Sequence, residues 1–383
     1  MLRPTAATDL VDRMVDRMIG RLRTDADKTW RRTTNGVRHL AGTDRSTLGA
    51  SAKKTVWRRD NVQLWRYDSD WRPDKPALLL VHSLVSRSYV LDLRPGNSFV
   101  EALIARGYDV FLLDWGVPDA VDAGNTLETY CLEYLPRAVD AVRSTSGHES
   151  ITMFGYCFGG VLSLLYAAAH PEAPLSSLAV MATPVESRHL PPLFRAPHSG
   201  RFDVEAILDE NGNVPPASIL AAFRALKPTA DLVGTVNLIQ NLWNPAFVDA
   251  HNAMTTWSRD HVPFAGAAFR QTVELTRTNA LLEGGLELGD RPISLRDITV
   301  PFLNIYGLAD HIVPPAAASP AGDLVGSTDR TDLALPAGHV GLIVGRAAHT
   351  RHVPAMMDWL DRHSSIDASA PEAFGPLRRK VPA

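Results

Sequence analysis

From Ile151 to Ala169 nineteen consecutive residues carry no charge, ITMFGYCFGGVLSLLYAAA, and few folds have room for such a run. Its length approaches that of a bilayer-spanning helix. Yet Gly155, Gly159 and Gly160 fall inside it, and one of only two cysteines lies between the first two. A buried strand, a very tight turn and a buried helix account for the run better. Gly155-Tyr156-Cys157-Phe158-Gly159 has the spacing of a nucleophile elbow, with cysteine in the position serine often holds. The nucleophile of an elbow sits in a strained backbone conformation, and side chains at the flanking positions would strike the strand and helix. The helix beyond the turn points unpaired N–H groups and its positive dipole end at Cys157, which favours the thiolate.

Around this segment short apolar runs alternate with helical patterns. Residues 77–85 (ALLLVHSLV), 109–116, 150–157, 176–183 and 301–310 read as strands. They are nearly continuous in apolar residues, as in a parallel sheet covered on both faces. Helical patterns occupy 97–107, 126–144 and 159–170. The alternation predicts an α/β fold with a doubly wound, mostly parallel sheet. Between about 186 and 293 the rhythm stops, and the chain becomes rich in Pro, Asn, Trp and Phe without a clear core strand. A segment of that length is expected to be an inserted lid or cap subdomain.

Two further groups fall where such a sheet collects its active site, at strand C-termini. Asp310 ends NIYGLAD, and His339 lies in LALPAGHVGLIVG, beyond the next strand. The order Cys157, Asp310, His339 is the nucleophile–acid–histidine order of α/β-hydrolases. His339 is expected to deprotonate the thiol and Asp310 to hold the imidazole in the right tautomer. An oxyanion needs two N–H donors. One is expected from the backbone of Phe158, the other from HSLVSRS, at Leu84 or Val85. Asp114 and His311 could compete as acid and base, but Asp114 precedes the nucleophile and His311 directly follows the acid. Both, and Cys131 within a helical pattern, are read as structural.

These segments, with YVLDLRPGNSFV, FLLDWGVPD, NPAFVD and DHIVPP, together resemble the polyhydroxyalkanoate synthases over residues 75–350. The resemblance implies an α/β-hydrolase fold and a polymerase that links (R)-3-hydroxyacyl-CoA units into a storage polyester with release of CoA. It places the family's catalytic cysteine, aspartate and histidine on Cys157, Asp310 and His339. It also implies that the aspartate can help activate a hydroxyl. The length is similar to that of the short catalytic subunits, which work with a separate small subunit, and a homodimer at the granule surface is expected. Acyl-CoA is then substrate, and neither cofactor nor metal is called for. A cysteine hydrolase of the same fold, either a thioesterase or an intracellular polyester depolymerase, is the alternative. A non-catalytic granule scaffold is a more distant one.

Charge and composition set the remaining bounds. A net charge of −3 over 383 residues argues against nucleic acid as a bulk partner. Two cysteines make no disulfide framework, and without an apolar signal core the expected location is cytoplasmic. Residues 1–60 nevertheless carry 14 Lys and Arg against 7 Asp and Glu. Leu10, Val11, Met14, Val15, Met18, Ile19 and Leu22 recur there at helical spacing among arginines. A basic amphipathic segment over 1–50, a catalytic domain over 51–363 and a disordered tail over 364–383 are therefore expected.

Overall fold

The computed structural model describes residues 27–363, apart from 41, 43, 73 and 197–201. The amphipathic pattern expected over 10–22 and the tail over 364–383 lie outside the described residues. Residues 27–40 form a helix, α1.

Eight strands make one sheet: β1 (Lys53–Arg59), β2 (Val62–Tyr67), β3 (Ala77–Val81), β4 (Asp109–Asp114), β5 (Ile151–Tyr156), β6 (Leu175–Met181), β7 (Phe302–Gly307) and β8 (Arg330–Leu335). Their order is β1-β2-β4-β3-β5-β6-β7-β8. From β4 to β8 every neighbour is parallel, while β1, β2 and β4 pair antiparallel. The five long apolar runs are the central strands β3 to β7. Alternate residues of each face opposite layers. Leu79, Val81, Phe111, Leu113, Met153 and Val180 pack on one side, Leu78, Leu80, Val110, Leu112, Phe154 and Ala179 on the other. Burial of both faces removes the polar alternation a one-sided strand would show.

Helices cover both faces. On one side lie α2 (Phe99–Ala105) and a C-terminal helix at Val353–His363, whose Met356, Trp359 and Leu360 are buried. On the other lie α3 (Leu135–Ser146) and α4 (Phe158–Ala169). The single helix expected over 126–144 is instead a wider π-helical stretch, Thr129–Tyr134, running into α3. Pro136, which has no N–H to give, follows directly where the π-helical stretch passes into α3. The uncharged run divides at Cys157 into β5 and α4. No helix among the described residues is long and apolar enough to cross a membrane.

Between β6 and β7 the chain builds α5 (Pro216–Leu226), α6 (Ala230–Asn241), α7 (Pro245–Arg259) and α8 (Gly266–Thr278), with two small antiparallel pairs outside the main sheet. The far end of α7 is fastened to the loop after β3. His261 Nδ1 lies 2.9 Å from the Val85 carbonyl, Trp257 Nε1 donates to the Arg87 carbonyl at 3.0 Å, and Tyr89 Oη donates to Asp260 at 2.9 Å. The inserted helices are thus held over the C-terminal ends of β3 and β5.

Candidate active site

Cys157 occupies the single residue between β5 and α4, with φ 57° and ψ −124°. A residue with a Cβ is strained there, and the surroundings hold it in place. Its N–H donates to the Met181 carbonyl at 2.8 Å, which ties the turn to the end of β6. The flanking glycines are steric necessities. A Cβ on Gly159 would stand 2.2 Å from the Val81 carbonyl oxygen, and one on Gly155 would stand 2.5 Å from the Cα of Gly160. Strand and helix can therefore close into an elbow only with bare backbone at these points.

The acid and the histidine come from the next two strand ends. Asp310 lies three residues past β7 and has a wholly buried carboxylate. Its Oδ1 accepts from the N–H groups of Ile312 at 2.8 Å and Val313 at 2.9 Å, which leaves Oδ2 for His339 Nδ1 at 2.7 Å. The Cys157 sulfur lies near enough to the ring to act on its titration together with the carboxylate. Burial pushes the imidazole value down, but the Cys157 sulfur and the Asp310 carboxylate outweigh it and raise the value to about 10. The structure thus brings together the three residues that the sequence places in different loops.

Two supporting residues were not singled out from sequence. Tyr156 packs its ring 5.3 Å from that of His339 and donates its hydroxyl to the His339 carbonyl at 3.2 Å. Gly307 lets the His339 loop pass close above the end of β7, since a Cβ there would stand 2.4 Å from the Ala337 carbonyl oxygen. The glycine before an acid-bearing turn was the available signal for the second. Tyr156, buried inside the elbow motif, gave none.

The competing residues lie elsewhere. His311 is exposed beside the acid. Asp114 accepts from Ser88 Oγ and from the Gly116 N–H at 2.7 Å, and so pins the turn after β4. Cys131 is buried, its thiol held well above the usual range by desolvation and, less, by Glu128, and it donates to the Leu162 carbonyl at 3.6 Å. Asp114 and Cys131 make structural contacts, whereas His311, expected to be structural, faces solvent.

Residues 76–345 match the family model of the alpha/beta hydrolase fold. The chain is 36% identical over 340 residues to the poly(3-hydroxyalkanoate) polymerase subunit PhaC of Allochromatium vinosum, covering 86% of this chain and 94% of that protein. It is 35% identical over 334 residues to the same subunit of Thiocystis violacea, covering 86% and 93%. For the subunit of Synechocystis the identity is 32% over 346 residues, covering 85% and 89%. The chain belongs to the poly(3-hydroxyalkanoate) polymerase family. It is an enzyme that transfers acyl groups, on an α/β-hydrolase fold.

In this polymerase Cys157 opens onto a cavity of about 300 Å³. Its walls are apolar and come largely from the insertion, including Leu193, Phe194, Ile219, Phe223, Phe264 and Phe269. Phe158 lines it beside the nucleophile. Of the two residues considered for the second oxyanion donor, the Leu84 side chain belongs to the core, whereas Val85 lines the cavity. Among the described residues, no group of three or more His, Cys, Asp or Glu side chains could hold a metal ion.

Proposed function

We propose that this polymerase joins (R)-3-hydroxyacyl groups, delivered as CoA thioesters, into a polyester and releases CoA, with Cys157 carrying the acyl group. The Cys157 sulfur attacks the thioester carbonyl, and the oxyanion is held by the Phe158 N–H and by Leu84 or Val85. Collapse expels the CoA sulfur, which takes the proton held by His339, and leaves an acyl-Cys157 thioester. His339 then accepts the proton from the hydroxyl of a second hydroxyacyl group as its oxygen attacks the acyl carbon, and Cys157 leaves as thiolate. The first step exchanges thioester for thioester and loses little free energy, and the second forms the more stable oxygen ester. Asp310, with both oxygens engaged, supports His339 and reaches a substrate hydroxyl only through it.

The observation that carries this reading is the position of Cys157 on the floor of an apolar cavity roofed by the insertion. An acyl-enzyme open to water would be hydrolysed, and an apolar cover supports transfer to an alcohol instead. The relatives are named as subunits, which supports a second chain in the working assembly.

Incubation with 3-hydroxybutyryl-CoA tests the reading, with thiol, free acid and polymer measured separately. Polymer with little free acid per CoA is expected, and no CoA release from Cys157→Ala. One free acid per CoA without polymer, even with candidate small subunits supplied, would make the protein a hydrolase.

A further inference from the structure

Among the polar side chains that line the cavity, one buried hydroxyl stands out by having nothing to bind. Ser83 lines the wall beside Cys157, Val85 and Phe158, is 4% exposed, and its hydroxyl finds no hydrogen-bond partner. The hydroxyls of Thr272 and Thr276, which also line the cavity, are satisfied by carbonyls one helical turn back, at 2.8 and 2.9 Å. A buried hydroxyl without a partner is a net cost to the folded chain, and alanine would fill the same space without it. Such a group calls for an occupant that satisfies it.

The residue is also held firmly. The preceding His82 carbonyl accepts from Trp115 Nε1 at 2.9 Å, and the following Leu84 side chain is locked in the core. The backbone of 81–82 lies directly against Gly159 in the nucleophile helix. Ser83 and Cys157 are therefore carried by two segments in direct contact, and their separation does not depend on a flexible loop.

Resting on the transfer reading above, we propose that Ser83 is a specificity-determining contact: its hydroxyl hydrogen-bonds the oxygen on C3 of the acyl group bound at Cys157. In a 3-hydroxyacyl thioester that oxygen lies two carbons from the carbonyl under attack, and apart from Ser218 and the carbonyl-bonded Thr272 and Thr276 the rest of the cavity wall is apolar. A serine hydroxyl both donates and accepts. It can accept from the free alcohol of a monomer and donate to the ester oxygen that the alcohol becomes. A cationic or acceptor-only side chain could not serve both states. The contact favours hydroxyacyl over plain acyl groups, because the plain group leaves the buried hydroxyl unsatisfied.

The test compares CoA release from 3-hydroxybutyryl-CoA and butyryl-CoA by the full chain and by Ser83→Ala. Butyryl-CoA can acylate Cys157 but offers no hydroxyl for chain growth, so its initial CoA burst is the reference. In Ser83→Ala, kcat/KM for the hydroxy substrate should fall about tenfold while the butyryl burst stays within about twofold. The midpoint of thermal unfolding should be equal or higher, since an unsatisfied group is removed. An equal fall with both substrates would make Ser83 an oxyanion or packing residue and overturn the contact, as would no change with either. If neither substrate gives a CoA burst with the unsubstituted chain, the transfer reading itself fails and the contact with it.

Discussion

Cys157 is held at positive φ by its neighbours on both sides, a conformation a side chain resists by about 1–3 kcal/mol. That strain projects the sulfur into the cavity, and the rest of the fold bears it. Glycine would relieve it, although it also loosens the unfolded chain. Cys157→Gly should therefore be more stable than Cys157→Ala by about 1 kcal/mol, read as a shift in urea midpoint at unchanged m. Both should be inactive in CoA release. A Gly variant no more stable than the Ala variant would mean the turn is unstrained. His339 shows the same division between function and cost. It is buried, and only the Cys157 sulfur and the Asp310 carboxylate keep its value above that of a free imidazole.

At the scale of elements the decisive arrangement is the seam between the insertion and the loop after β3. Residues 257–261 and 85–89 are hydrogen-bonded to each other, and the His261 ring stacks on Phe223 of α5 at 5.3 Å, nearly parallel. This seam fastens the roof of the cavity to the loop that carries Ser83 and Val85. His261→Ala removes the bond to Val85 and one face of the stack, at a cost of about 1 kcal/mol to stability. With the roof loosened, water should reach the acyl-enzyme more often. The expected result is CoA release within about threefold of the original but a higher ratio of free hydroxy acid to polymer. An unchanged ratio would show that the seam is not what excludes water.

Across the whole molecule, a buried ion pair reinforces the β2–β4 pairing that joins the antiparallel edge to the parallel sheet. Arg66 of β2 grips Asp109 of β4 through two bonds of 2.9 Å and reaches the Thr145 carbonyl at the end of α3 at 3.2 Å. Burial raises the Asp109 value more than Arg66 lowers it. A carboxyl whose folded value is raised lends stability below its unfolded value, and that stability is lost as pH rises through the folded value. Without the arginine the folded value rises further. Arg66→Leu should therefore cost about 3–5 kcal/mol at neutral pH and distinctly less near pH 4, where the carboxyl enters the core uncharged. Urea unfolding at the two pH values checks this, and an equal loss at both would place the effect in packing instead.

The elbow was legible in the amino-acid sequence because its requirements are local. Glycines two residues either side of Cys157, between an apolar strand and an apolar helix, leave the backbone one way to turn. The five central strands were legible for a related reason, since burial on both faces writes an unbroken apolar run. β1 and β2 were not. They lie at the sheet edge, β1 carries four charges in seven residues, and only pairing with β4 buries Val62 and Leu64. Chain order placed Asp310 and His339 in strand-end loops. That they meet, while Asp114 pins a turn and His311 faces solvent, depends on loops crossing above the sheet. Ser83 looked like any small residue in HSLVSRS. That its hydroxyl faces an apolar cavity with no partner is a property of packing between segments far apart in the chain, and only the tertiary structure decided it.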